Sequence, residues 1–321
     1  VTGACEGKQR RIRIIPPAGR AKFNRVLPAL LALLGVLHGG CAAEERRPPV
    51  APSVNLSRPA ALIPADVDLV LRLDVRRFRN AMGAEWRQTL ANVWHGFLLD
   101  VSGGTPDQAW VGPALNDTEA LWLGCRMGAR GCQDYVIVMR GHFSQPLGKY
   151  GYGASKNQRE LGAGWVSYDT AHSERNGIAR VYSRPPELMV LVSPAELDSA
   201  ERSIEAGLDA TELRPEETGL VSLLVRSHAM ANVLRDRSRK AAQWLDSSER
   251  VEIRMEPQVA ETQLTFAVTF SDAARAERAA QALKLLTEAL TRFERRIRAT
   301  DIDVQQLDAQ VVLRVQLGAN H

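Results

Sequence analysis

Cysteine and histidine are scarce in this chain, four and six among 321 residues. Cys5 and Cys41 lie near the N-terminus, which leaves Cys125 and Cys132 for the body of the protein. With no further Cys or His pair at ligand spacing, nothing points to a zinc site. His38 precedes the body and His321 is the last residue. Of the remaining histidines, His95, His142, His172 and His228, no two stand at helical spacing, and no His-Glu-x-x-His occurs. A Gly-x-Ser-x-Gly elbow, a phosphate-cradling loop and a dinucleotide fingerprint are missing as well. The nearest candidate, "GKYGYGASKNQ" at Gly148 to Gln158, lacks a following Gly-Lys-Ser/Thr and reads as a loop. Asp66, Asp68 and Asp74 lack the glycine of a calcium loop, so these acids are expected in water at strand ends. His228, after Ser227 near a helix start, is expected to serve as a cap. Neither metal nor cofactor is expected.

A long apolar run is also missing. Val26 to Leu37 is apolar over twelve residues, whereas a helix crossing a bilayer core takes about 20. The flanks of this run explain it better. Arg20, Lys22 and Arg25 precede it and the small residues Gly39 and Gly40 follow, the pattern of an export signal. Residues 1–19 add a basic, Pro-rich piece ahead of a signal already complete, consistent with a start assigned too far upstream. Residues 1–40 hold seven Lys or Arg against one acid, so removing them leaves 34 basic and 36 acidic residues. The pI near 9 therefore belongs to the signal. A nucleic-acid partner, which would need a basic face on the folded part, is not expected. The run "RDRSRK", Arg235 to Lys240, reads as a solvated helix face.

Leu37, Gly39, Gly40 and Cys41 together resemble the end of a bacterial lipoprotein signal. That resemblance implies a diacylglycerol thioether on Cys41 and a membrane partner reached through the anchor alone. His38 stands where such signals carry an aliphatic residue, which leaves ordinary secretion, with cleavage after Ala43, as the alternative. Residues 41–59, with four prolines including Pro59, form an extended linker.

The remaining chain reads as α+β, with a first lobe over 60–213 and a related second lobe over 214–321. Leu69, Leu71, Leu73 and Val75 alternate with polar and smaller residues, which predicts a strand with one buried face. A helix is expected over 78–99, then a hairpin from "EALWLGC" and "CQDYVIVMRG" with glycines at the turn. "GWVSYDT", "GIARVYS" and "ELMVLVS" predict three more strands. Ser193, Pro194 and Glu196 form a capping box for the next helix. From Gly219 the pattern restarts. A strand over 219–226 leads to a helix over 228–245, two strands over 250–259 and 262–270, a long helix over 273–297 and a final strand over 307–317. That order is βαββαβ, which predicts a ferredoxin-like second lobe. Clean alternation predicts antiparallel sheets with helices on one face.

"IPADVDLVLRLDV" from Ile63, followed by "VIVMRGHF" with Arg140, Gly141 and Phe143, resembles uncharacterised bacterial envelope lipoproteins that open with Ile-Pro-Ala-Asp. The likeness implies an architecture and an envelope location and brings no catalytic residues. Cys125 and Cys132 flank the predicted hairpin turn, where facing strand residues come within disulfide reach. Export would permit the bond. Reduced buried thiols and half of a metal site stay open beside it. The functional expectation is a lipid-anchored, non-enzymatic envelope protein, facing the periplasm or the surface, that binds an unidentified protein or ligand; without modification of Cys41 it would be secreted. The alternative is an exported hydrolase whose site is assembled from distant residues.

Overall fold

The computed structural model describes residues 59–86, 111–128, 131–143, 158–162, 164–170, 178–206, 212–215, 217–235, 239–257, 261–293 and 299–318. The expected signal, the linker up to residue 58 and Cys41 lie outside the described residues, as do His95 and His172.

The first half of the chain contributes β1 (Leu69–Asp74), β2 (Thr118–Gly128), β3 (Gly131–Gly141), β4 (Gln158–Gly162), β5 (Trp165–Asp169), β6 (Arg180–Arg184) and β7 (Leu188–Val192). The second half contributes β8 (Val221–Arg226), β9 (Ser248–Pro257), β10 (Glu261–Phe270), β11 (Ala299–Leu307) and β12 (Gln310–Gly318). Helices are α1 (Val75–Met82), α2 (Val111–Asp117), α3 (Leu197–Ala206), α4 (Ser227–Leu234), α5 (Arg239–Asp246) and α6 (Ala273–Phe293). The fold is α+β and its strands pair antiparallel, as the alternating sequence predicts.

The described strands make one open sheet rather than two, in the order β11-β12-β10-β9-β8-β1-β2-β3-β7-β6-β5-β4. The halves meet edge to edge where β1 pairs with β8. Leu69 faces Val225 and Leu73 faces Val221, the first and fifth residues of each strand, so the register is the same read from either side. This makes the join a pseudo-twofold seam.

The ferredoxin-like order does not form. A single helix over 228–245 would return the chain so that the next strand ran parallel to β8. Instead that stretch holds two helices, α4 and α5, whose second reversal lays β9 antiparallel beside β8. A split βαβ survives only at the far edge, where β12 lies between β10 and β11. β11 escaped the sequence reading because Asp301, Asp303, Gln305 and Gln306 leave it few apolar residues.

Side chains from alternate strand positions sort onto two faces. Leu69, Leu73, Leu121, Leu123, Ile137, Met139, Leu223, Val225, Ile253 and Val268 pack against Val75 and Phe78 of α1, Ala231 of α4, Leu245 of α5 and Ala276 of α6. On the opposite face Val70, Trp122, Val136, Val138, Tyr182 and Val190 pack against Ile63, Val67, and Ala200 and Ile204 of α3. Helices were expected on one face only; α3 departs from that. The central first-half strands β2, β3 and β7 are apolar on both sides, which requires a second cover to remove them from water. Beyond the seam this second face turns polar, with Arg254, Gln263, Thr265 and Arg314 half-buried.

Local chemistry explains two shifted boundaries. α1 begins at Val75, because Asp74 Oδ1 accepts the Arg77 amide at 2.8 Å and ends the strand as an N-cap. The expected capping box at Ser193 is not made. Ser193 Oγ instead accepts the Tyr135 amide at 2.9 Å, and Glu196 turns inward. A 3-10 turn, Pro194–Glu196, therefore precedes α3.

Cys125 and Cys132 are joined in a disulfide with Cα atoms 5.7 Å apart. They are not directly opposite: a bulge between Arg126 and Met127 sets Cys125 against Tyr135 and Met127 against Cys132. Both cysteines are buried among apolar side chains. For a loop closed over a sequence separation of 7, chain entropy puts the stabilisation at about 2 kcal/mol. Dithiothreitol should lower the unfolding free energy measured in urea by that amount, and mass spectrometry of the non-reduced chain should find the linked peptide. Two free thiols would refute the bridge.

Candidate functional site

The Ile-Pro-Ala-Asp opening converges on the seam. Ile63 is buried against Gly124 of β2, where an added Cβ would lie 2.2 Å from Ile63 Cγ2. Asp66 pairs with Arg126 at 2.5 Å. Asp68 Oδ2 accepts the Met127 amide at 2.9 Å, and its carbonyl accepts the Arg226 amide at 2.8 Å. The Arg226 guanidinium also donates to the Ala65 carbonyl at 3.3 Å. So the acids expected in water at strand ends are engaged: Asp68 and Asp74 in backbone contacts, Asp66 in an ion pair. Arg126 is held further by Glu196, whose side chain is fully buried. Chiefly through its hydrogen bond to Glu196, the Arg126 guanidinium holds its proton well above the ordinary arginine range.

Where β8 ends and α4 begins, a cleft of about 320 Å³ opens beside the seam. Its lining is Glu212, Leu213, Arg226, His228, Glu249, Arg250 and Thr269. Arg226 and Arg250 are register partners across β8 and β9, so two guanidinium groups share one face. Like charges placed directly opposite are destabilising unless something between them carries the compensating charge. Neither has an ion-pair partner among the described residues, and the buried Arg226 Nε has no acceptor there. α4 starts at this point without a side-chain cap: Arg226 is its N-cap residue and makes no cap hydrogen bond. His228, expected to cap, is 63% exposed and places Nε2 3.5 Å from Asp68 Oδ1. No hydroxyl among the described residues hydrogen-bonds to His228. His142 is exposed, and its amide donates to the Asp117 carbonyl at 2.9 Å.

A second group of arginines sits at the centre of the same face. Arg72, almost fully buried, donates to the Gly219 carbonyl at 2.9 Å and lies 3.9 Å from Asp74. Arg72 and Arg140 both sit over the Trp122 ring, 5.9 and 5.4 Å from its centroid. Loss of hydration lowers the Arg72 pKa, and Asp74 offsets part of that. Arg72 Nε and the Oγ of its register partner Ser222 have no hydrogen-bond partner among the described residues.

Among the described residues no three His, Cys, Asp or Glu side chains are grouped to hold a metal ion, and no helix is long and apolar enough to cross a membrane. The sequence pointed to His228, Asp68 and the cysteines and gave Glu196 a capping role that its ion pair with Arg126 replaces, but it did not single out Arg226 or Arg250. The only sequence signal for the arginine pair was a polar residue at the end of each of two apolar strands.

The fold and cleft define an open antiparallel α+β sheet with a charged cleft at its pseudo-twofold seam. No family model matches the chain, and no curated protein matches it. Among solved structures it is similar to TP0453 in crystal forms I, III and IV, with TM-scores of 0.49, 0.47 and 0.49 and identities of 12, 11 and 11%. The alignments cover 81% of this chain in each case and 93, 94 and 93% of the other. A likeness at this level transfers no function.

Proposed function

We propose that this chain is a lipid-anchored, non-enzymatic protein of the bacterial cell envelope that binds a ligand or partner at the seam cleft. Cys41 carries the anchor and the Pro-rich linker holds the sheet away from the membrane surface. The observation that carries the binding reading is the facing pair Arg226 and Arg250, two cations in register without carboxylate partners among the described residues. A bound group that accepts hydrogen bonds from both would relieve their repulsion and satisfy Arg226 Nε. The signal-like stretch ending at Cys41 and the Ile-Pro-Ala-Asp opening support the envelope setting.

The test has two arms. Cys41→Ser should abolish palmitate labelling and leave the precursor uncleaved, and unchanged processing would remove the anchor. A photo-crosslinking amino acid at Thr269, on the cleft wall, should give a discrete adduct in cells that Arg226→Glu or Arg250→Glu reduces at least fivefold. An adduct indifferent to both charge reversals would sink the binding site.

A further inference from the structure

On the helical face, away from the seam cleft, a groove of about 430 Å³ runs between α5 and α6. Trp244 and Phe270 form its floor, in edge-to-face contact with centroids 5.7 Å apart. Ala279 and the exposed Ala282 form the α6 wall, with Ser247 at one end. The short alanine side chains leave the half-buried indole uncovered on the α6 side. The remaining lining residues are Arg275 and Arg278, one helical turn apart on α6. Asp272 answers only part of this charge. It pairs with Arg275 at 3.2 Å while its other oxygen accepts the Arg275 amide at 2.8 Å. Arg278 makes no ion pair among the described residues.

An aromatic and aliphatic floor beneath an excess of positive charge is complementary to one kind of molecule: an alkyl chain ending in an anionic head. The volume suits a small ligand rather than a protein segment. We propose that this groove binds a single-chain anionic amphiphile of the fatty-acid class, with the alkyl chain along Trp244 and Phe270 and the carboxylate between Arg275 and Arg278. A guanidinium pair can hold such a carboxylate by charge-assisted hydrogen bonds, while the chain is removed from water against the rings. The site is separate from the seam cleft and does not depend on it.

The full chain would be titrated calorimetrically with sodium dodecanoate below its micelle concentration, with dodecyltrimethylammonium as the chain-matched cation. Dodecanoate should bind at least tenfold more tightly than the cation. Arg275→Glu combined with Arg278→Glu should abolish that preference, and Ala282→Phe, which fills an exposed position in the groove, should weaken dodecanoate at least tenfold. The variants carry the result, which separates the groove from the apolar run at residues 26–37. Circular dichroism matching the parent would confirm that these surface changes leave the fold intact. Equal binding of anion and cation, dodecanoate affinity unmoved by Ala282→Phe, or a loss caused equally by Arg250→Glu at the seam cleft would overturn the proposal.

Discussion

Replacing Arg126 with Met is expected to destabilise the protein by about 3 kcal/mol, because it leaves the Glu196 carboxylate fully buried without its cation. Removing one member of a buried ion pair costs about 3–5 kcal/mol, and the 35% exposure of the Arg126 side chain places this case at the lower end. Asp66 also loses its partner, but with 62% of its side chain exposed it returns to water at little cost. The double change Arg126→Met with Glu196→Met should recover most of the loss, since neither charge then remains to be desolvated. Urea unfolding of the four combinations would measure the coupling directly. A single Arg126→Met variant within about 0.5 kcal/mol of the parent would mean that Glu196 is not committed to this ion pair.

Gly141→Ala is expected to cost about 3 kcal/mol, more than the same change at Gly124. A Cβ at Gly141 would lie 1.9 Å from the Asp117 carbonyl oxygen and 2.9 Å from Thr118 Cα. Both obstacles are backbone. They belong to the junction of α2 and β2, where the His142 amide donates to that same Asp117 carbonyl. Relief requires moving the β3 end away and losing this bond, which adds about 0.5–1.5 kcal/mol for the hydrogen bond to about 1–3 kcal/mol of overpacking. At Gly124 the obstacle is the branched Cγ2 methyl of the fully buried Ile63, a side chain rather than backbone and with no hydrogen bond to lose, so about 2 kcal/mol of overpacking is expected. The order of the two denaturation midpoints, at unchanged m-value, is the check; a reversed order would show that the β3 exit is the more yielding of the two.

The Gly141 result bears on why the Arg-Gly end of β3 was legible as a motif and illegible as a contact. Its neighbour Asp117 belongs to α2, a seven-residue helix containing Pro113 that no apolar period announced. The Ile-Pro-Ala-Asp opening was similar. Its residues were noticed, yet the acids were placed in water, because their partners Arg126, Met127 and Arg226 lie 59 or more residues away. His228 was assigned to a cap from its position, and the structure turns it toward Asp68 instead. The hairpin cysteines are bonded as their short separation suggests, but the bulge at Arg126 and Met127, which spacing does not announce, keeps them from facing each other.

By itself the sequence determined most of the strands and the long helical stretch after β10, because a period of two or of about 3.6 is a local property of the chain, whereas β11 and α2, with few apolar residues or no apolar period, were not announced by it. It also carried the signal-like segment and the single cysteine pair of the body. Only the tertiary structure decided that the halves share one sheet, that a break within 228–245 replaces the ferredoxin-like order, and that Arg226 meets Arg250. Those outcomes depend on which strand edges meet and on where a helix reverses the chain. Edge pairing is made by backbone groups common to every residue, so the side-chain pattern that encodes a strand does not name its neighbour.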